Sequence, residues 1–384
     1  MKRVAVASNM LAWARERAGL EGTDLKRRFP KLAAWESGDA RPTLKQLEAF
    51  AKAVHVPIGY LFLPMPPEES LPIPDFRTAA SQGVRLASPN LLDMVYACQE
   101  RQGWYREFAQ TTRQPEVGFV GSASLGSAPE TLATEMARTL GFDLRARAEC
   151  RTWEEALRLF IVQAERIGVL VMLSGVVLSN THRLLDPEEF RGFALADRRA
   201  PLVFINGADT KSGQMFTLAH ELAHLWLGSS AVSNASAAPL RGYRREEVWC
   251  NAVAAQLLVP LAALRPELRE DEGLDEALRR LARRFKVSTL VILRRLLDAH
   301  WLDRAAFEAA WAAERARLRE IAGSGAGGGD FYRTTLSRVS RRFARALVES
   351  TLEGQTLYRD AFRMLGVAKT ETFNRIGREV GVML

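Results

Sequence analysis

The chain has 384 residues, 47% of them apolar and 26% charged. That length is more than one ordinary core holds and implies two or three domains, while the balance excludes wholesale disorder. A net charge of +8 and a pI near 9.7 permit nucleic-acid binding without requiring it. The best apolar run, 167–178, is too short to span a bilayer, so no membrane role is expected. The basic start, Met1-Lys2-Arg3, leads into a helical pattern rather than an apolar export segment. Cys98, Cys150 and Cys250 are far apart and form no C-x-x-C pair. They read as buried thiols of a cytoplasmic protein.

Residues 1–64 predict five short helices, the signature of a helix-turn-helix domain. Apolar groups repeat through Met10, Leu11, Trp13 and Ala14, and Gly19 and Gly22 close the first helix. Thr23 caps a second helix over 24–29. Pro30 opens a third that ends near Ser37-Gly38. Thr43 caps a fourth, with Leu44, Leu47, Phe50 and Ala51 on one face, and Pro57 starts a fifth. Pro64, Pro66, Pro67, Pro72 and Pro74 then crowd the stretch 65–88, which predicts an extended linker.

Residues 89–165 predict helices. Short β-rich runs at 169–173 and 201–206 predict strands of a small sheet. A buried helix is expected over 217–227 and another over 246–259, ended by Pro260, with further helices over 273–320. Gly323 to Gly329 reads as a flexible linker, and 331–384 as a basic helical segment with stops at Gly354 and Gly366. The fold class is therefore α+β and mostly helical. Its expected divisions are 1–64, the linker 65–88, a core over 89–265, a helical region over 266–320 and a C-terminal segment over 321–384.

The sequence His220-Glu221-Leu222-Ala223-His224 is an H-E-x-x-H motif. On a helix its two histidines share one face, so both imidazoles can reach one ion at about 2.0–2.1 Å. Glu221 lies beside that face, where it can take a proton from water at the ion. Almost every neighbour from Met215 to Leu227 is apolar, and buried polar groups need a reason to be there. A third ligand is needed to leave one tetrahedral position open. Glu247 is the preferred donor, because Asn251 four residues on can hydrogen-bond a ligand histidine. Glu246 is the rival, about 100° away around the helix. This gluzincin arrangement predicts zinc and peptide-bond hydrolysis, with Glu221 returning the proton to the leaving amine. Tyr243 and His182 are weak candidates for oxyanion stabilisation.

The run 214–224, the strand 200–206 and the helix 247–260 resemble the ImmA/IrrE family of regulatory metallopeptidases. Trp35-Glu36-Ser37-Gly38, Pro42-Thr43-Leu44, Gln46-Leu47-Glu48 and 72–78 resemble its subgroup with an N-terminal Xre-type helix-turn-helix. The resemblance implies a gluzincin-like core with zinc on His220, His224 and Glu247. It also implies a protein substrate, typically a helix-turn-helix repressor whose cleavage derepresses stress, mobile-element or phage-defence genes. Some relatives look like antitoxins beside toxin genes, which makes a DNA-binding regulator or antitoxin with a toxin partner the alternative.

Residues 1–60 hold eleven Lys+Arg against six Asp+Glu. Lys26, Arg27, Arg28 and Lys31 cluster where a helix-turn-helix meets phosphate. From Leu25 to Glu36 the chain is about four residues shorter than turn plus recognition helix usually need. Residues 281–296 have the spacing of a second helix-turn-helix, with Ser288 as cap. Arg283, Arg284 and Lys286 are its candidate nucleic-acid contacts, flanked by Arg294 and Arg295. Arg338, Arg341, Arg342 and Arg345 form a basic face in the C-terminal segment.

Overall fold

The computed structural model describes residues 3–18, 23–76, 87–233, 244–269, 271–322 and 331–382. The glycine-rich stretch 323–329 and Tyr243 fall outside the described residues, as do Arg77 and Thr78 and the side chain of Lys26. The chain divides into two compact units. One is Met1–Pro72 with Arg85–Val95, and the other is Ile73–Val84 with Tyr96–Leu384.

The first unit contains α1 (Ser8–Arg17), α2 (Thr23–Arg28), α3 (Leu32–Glu36), α4 (Leu44–Ala53) and a 3-10 turn, Ile58–Phe62. Leu11, Phe29, Trp35, Leu47, Phe50 and Leu61 are among its core. Thr43 caps α4 reciprocally with Gln46, satisfying two backbone donors that the helix cannot. The fifth expected helix is the 3-10 turn, its five residues including Gly59. Thr23 lies within α2 rather than ahead of it. α3 is only five residues long and contains no basic side chain.

The second unit is α+β and mostly helical, as expected. Helices α5 (Pro89–Thr111, whose start belongs to the first unit), α6 (Pro129–Leu140), α7 (Leu144–Ala148) and α8 (Trp153–Arg166) precede the sheet. The strands are β1 (Leu170–Ser174), β2 (Val176–Val177), β3 (Asn180–Leu184), β4 (Gly192–Leu195) and β5 (Leu202–Asn206). Then come α9 (Lys211–Leu227), β6 (Ala231–Ser233), α10 (Arg245–Leu258), α11 (Leu261–Leu264), α12 (Leu274–Phe285), α13 (Thr289–Asp298) and α14 (Arg304–Ala322). Helices α15 (Phe331–Val339), α16 (Arg341–Leu352), α17 (Tyr358–Leu365) and α18 (Thr370–Glu379) end the chain.

The main sheet has the order β1-β5-β4-β6, with β1 parallel to β5 and the other pairs antiparallel. β2 and β3 make a separate hairpin. Only β1 and β5 were expected, because the others are short or polar. The edge strand β6 gains a partner from the proline-rich stretch. Phe76 N–H donates to Val232 O at 2.9 Å and Val232 N–H to Pro74 O at 3.0 Å. Part of the expected linker, Pro74–Phe76, is thus paired into the sheet of the second unit.

α9 is buried from Gln214 to Trp226, and apart from Gln214, Thr217, His220, Glu221 and His224 that run is apolar all round. It starts six residues earlier than expected, where Thr210 accepts a hydrogen bond from Gly213 N–H, and ends on left-handed Gly228.

Helices α15 and α16 pack against β1. Their junction is held by Ser340, which donates to buried Glu165 at 2.5 Å, and by Arg342, which donates to Tyr105 Oη at 2.8 Å. Of the basic face, Arg342 is therefore spent inside the fold, while Arg345 stays exposed and pairs with Glu349 at 2.8 Å. No single helix among the described residues is long and apolar enough to cross a membrane.

Cys98 and Cys250 are buried as expected, but Cys150 is only partly so. Burial pushes the Cys98 thiol up to about 12 and that of Cys250 well above its ordinary value. A thiol-reactive chromophore at pH 8 should therefore label Cys150 alone in the native protein and all three cysteines after unfolding. Rapid native labelling of Cys98 or Cys250 would contradict this packing.

Candidate metal centre

α9 presents His220 and His224 one turn apart, and α10 brings Glu247 against them from its first turn. All three are buried. His220 Nε2 lies 3.1 Å from His224 Nε2. The Glu247 carboxylate reaches His224 Nε2 at 3.0 Å and His220 Nε2 at 3.4 Å. Donors on a tetrahedral ion with bonds of about 2.0–2.1 Å stand about 3.3 Å apart, so this triad has the size of a cation site. Among the described residues it is the His/Glu group close enough together to hold a metal ion. Glu246, the rival, is not part of it and is more exposed.

The outer hydrogen bonds orient the rings. His220 Nδ1 lies 3.0 Å from Asn251 Oδ1, and His224 Nδ1 lies 3.0 Å from Ser229 Oγ. If each Nδ1 carries the proton, as an amide oxygen opposite His220 requires, both Nε2 lone pairs converge. Asn251 was expected from its spacing. Ser229 was not, because it lies just beyond the helix, where no periodic pattern reaches it.

Burial and the mutual field of two imidazoles and two carboxylates set the electrostatics of the site. Burial opposes charge on His220, but the neighbouring carboxylates, Glu247 foremost, outweigh it and raise its pKa. Burial dominates at His224 and lowers it. Burial also works against ionised Glu247, yet the two imidazoles hold its carboxyl down to about 2. Its place in the first turn of α10 favours the same anionic form. Burial pushes Glu221 up to about 8.

The paired stretch before α5 forms one wall. The Phe76 ring centroid lies 6.0 Å from that of His224, and the Arg244 guanidinium sits 4.7 Å from the Phe76 ring centre. Phe76 falls in the stretch expected as an extended linker, and only the resemblance over 72–78 set it apart there.

The other candidates lie elsewhere. His182 is exposed on β3. Arg27, Arg28 and Lys31 are exposed in the first unit, with Arg28 stacked 5.5 Å from the Phe29 ring centre. Around α12 and α13, Arg284 pairs with Glu267 at 3.3 Å, and Lys286 lies over the Trp153 ring. Arg295 is buried and donates to Val259 O at 2.9 Å. Arg283 is exposed, but α13 buries Val291, Ile292, Leu293 and Leu296, so most of this unit faces inward.

Residues 164–297 match the family model of the IrrE N-terminal-like domain, which brackets β1 through α13 and contains the whole triad. That match makes this part of the chain peptidase-like. Residues 339–379 match a domain of unknown function, which covers α16 to α18. Among curated proteins none matches the chain.

Proposed function

We propose that this chain is a zinc-dependent metallo-endopeptidase with a regulatory role. The observation that carries the reading is the convergence of His220, His224 and Glu247, within hydrogen-bonding distance of one another, inside the IrrE N-terminal-like region. Two imidazoles and a carboxylate suit zinc, and three protein donors leave a fourth position for water or substrate. Bound zinc would supply Lewis acidity towards a peptide carbonyl and towards water. The chain's own residues do the rest. Asn251 and Ser229 keep the imidazoles aimed, Glu221 accepts a proton from the attacking water, and the same carboxyl then gives that proton to the departing amine.

The substrate this reading favours is a protein, and the resemblance of the chain points to a helix-turn-helix repressor. Co-incubation with a neighbouring-gene repressor should yield one cleavage that stops with chelator and returns with zinc. Zinc analysis should find one tightly held ion per chain. A chain that binds no zinc, or a repressor that survives with zinc present, would count against the proposal. Asn251→Ala should weaken zinc by about 10- to 100-fold, the usual cost of losing an outer hydrogen-bond partner. Chelator competition measures it, and unchanged affinity would remove Asn251 from the site.

The exposed cations Arg27, Arg28 and Lys31 favour a second reading, a DNA-binding regulator or antitoxin whose core is sensory. In that case operator binding should tighten at low salt and survive Glu221→Gln.

A further inference from the structure

The carboxylate of Glu221 does not hang free beside the triad. Its Oε1 accepts a hydrogen bond from the hydroxyl of Ser233, the last residue of β6, which is fully buried. On β4, Gly192 leaves room for it. A Cβ there would stand 3.1 Å from Glu221 Oε1, 2.6 Å from Thr217 Cγ2 and 2.8 Å from Phe204 O. The other oxygen, Oε2, is buried with no hydrogen-bond partner among the described residues. The two oxygens are thus sorted, one tied to the sheet and one unspent. The terminal torsion of a glutamate is broad and two-fold, so an unheld carboxylate would sample many orientations.

The donor itself is held. β6 pairs with β4 through Gly192–Ser233 and Phe193–Val232, and on its other side Val232 bonds to Pro74 and Phe76. Ser233 is thus placed by its own pairing to β4 and by the preceding residue, Val232, which is bonded on both sides.

We propose that Ser233 is the positioning residue for Glu221: its hydroxyl pins Oε1 so that Oε2 is the oxygen that exchanges protons with substrate and water. This rests on the peptidase reading and deepens it. The competing role is structural, in which the hydroxyl only satisfies a buried carboxylate.

The test uses the full zinc-loaded chain as wild type, Ser233→Ala and Ser233→Thr. Zinc content, melting temperature, acetohydroxamate affinity, kcat and KM are measured for each. Acetohydroxamate chelates zinc and presents a hydroxamate proton that a base at this position receives. The alanine variant should keep one zinc and the wild-type KM. It should lose about 10- to 100-fold in kcat and in acetohydroxamate affinity, the worth of one hydrogen bond to an ionised group. Threonine, which keeps the hydroxyl, should restore both. Wild-type kcat and affinity in Ser233→Ala would overturn the proposal, as would failure of threonine to rescue. Loss of zinc or of folding in the alanine variant, restored by threonine, would assign the structural role instead. Failure of the peptidase reading appears separately, as a zinc-loaded wild type that cleaves nothing, and the acetohydroxamate comparison still reads Ser233 in that case.

Discussion

Glu221→Gln is expected to lower kcat for peptide cleavage by about 10²- to 10⁴-fold, the usual contribution of a positioned proton acceptor, while one zinc per chain is retained. The amide is the same size and its oxygen can still accept from Ser233, so the site should keep its shape. What is lost is the ability to take a proton. Burial holds this carboxyl up to about 8, and a nearby dication would draw it down towards the ionised, proton-accepting form. Parallel zinc analysis and single-turnover cleavage decide the matter. A variant that cleaves at the wild-type rate would sink the mechanism.

Glu247→Ala is expected to be the most damaging single change to metal affinity. It removes the anion of the triad and leaves two buried imidazoles facing the cation. The loss should exceed about 100-fold, the upper limit for removing an outer partner such as Asn251. Melting with and without zinc makes this visible. Zinc at 1,000 times its wild-type Kd stabilises by about 4.1 kcal/mol, and a hundredfold weaker site gains about 1.4 kcal/mol at the same concentration. An undiminished shift would mean that another carboxylate ligates, and Glu246 on the same first turn would be the first to test.

The triad was legible because it is written in helical periodicity. His220 and His224 are four apart, as are Glu247 and Asn251, and a helix turns that spacing into a shared face. The apolar surroundings of α9 announced its burial in the same way. The missing parts have no period. β4 has four residues and β6 three, too short for an alternating pattern to stand out. Ser229 lies beyond a helix end and Ser233 ends a three-residue strand, so both meet the site only through tertiary packing. The first turns of α9, with Lys211, Ser212 and Gly213, lie outside the expected helix 217–227, because polar residues hide the start that the Thr210 cap marks. In the C-terminal segment the charge count suggested a solvated basic face. Ser340 and Arg342 instead turn towards Glu165 and Tyr105, a choice that depends on residues more than 170 positions away.

The pairing of Pro74–Phe76 with β6 bears on where this protein can be cut into parts. A fragment begun at α5 would have a tidy helical start, yet it would strip the outer rim of the sheet and bare the backbone groups of Val232. It would also lift an aromatic cover from His224. Unpaired rims of this kind invite sticking between molecules. A fragment meant to keep this rim therefore begins no later than Ile73, and precipitation of a shorter one would report a damaged boundary.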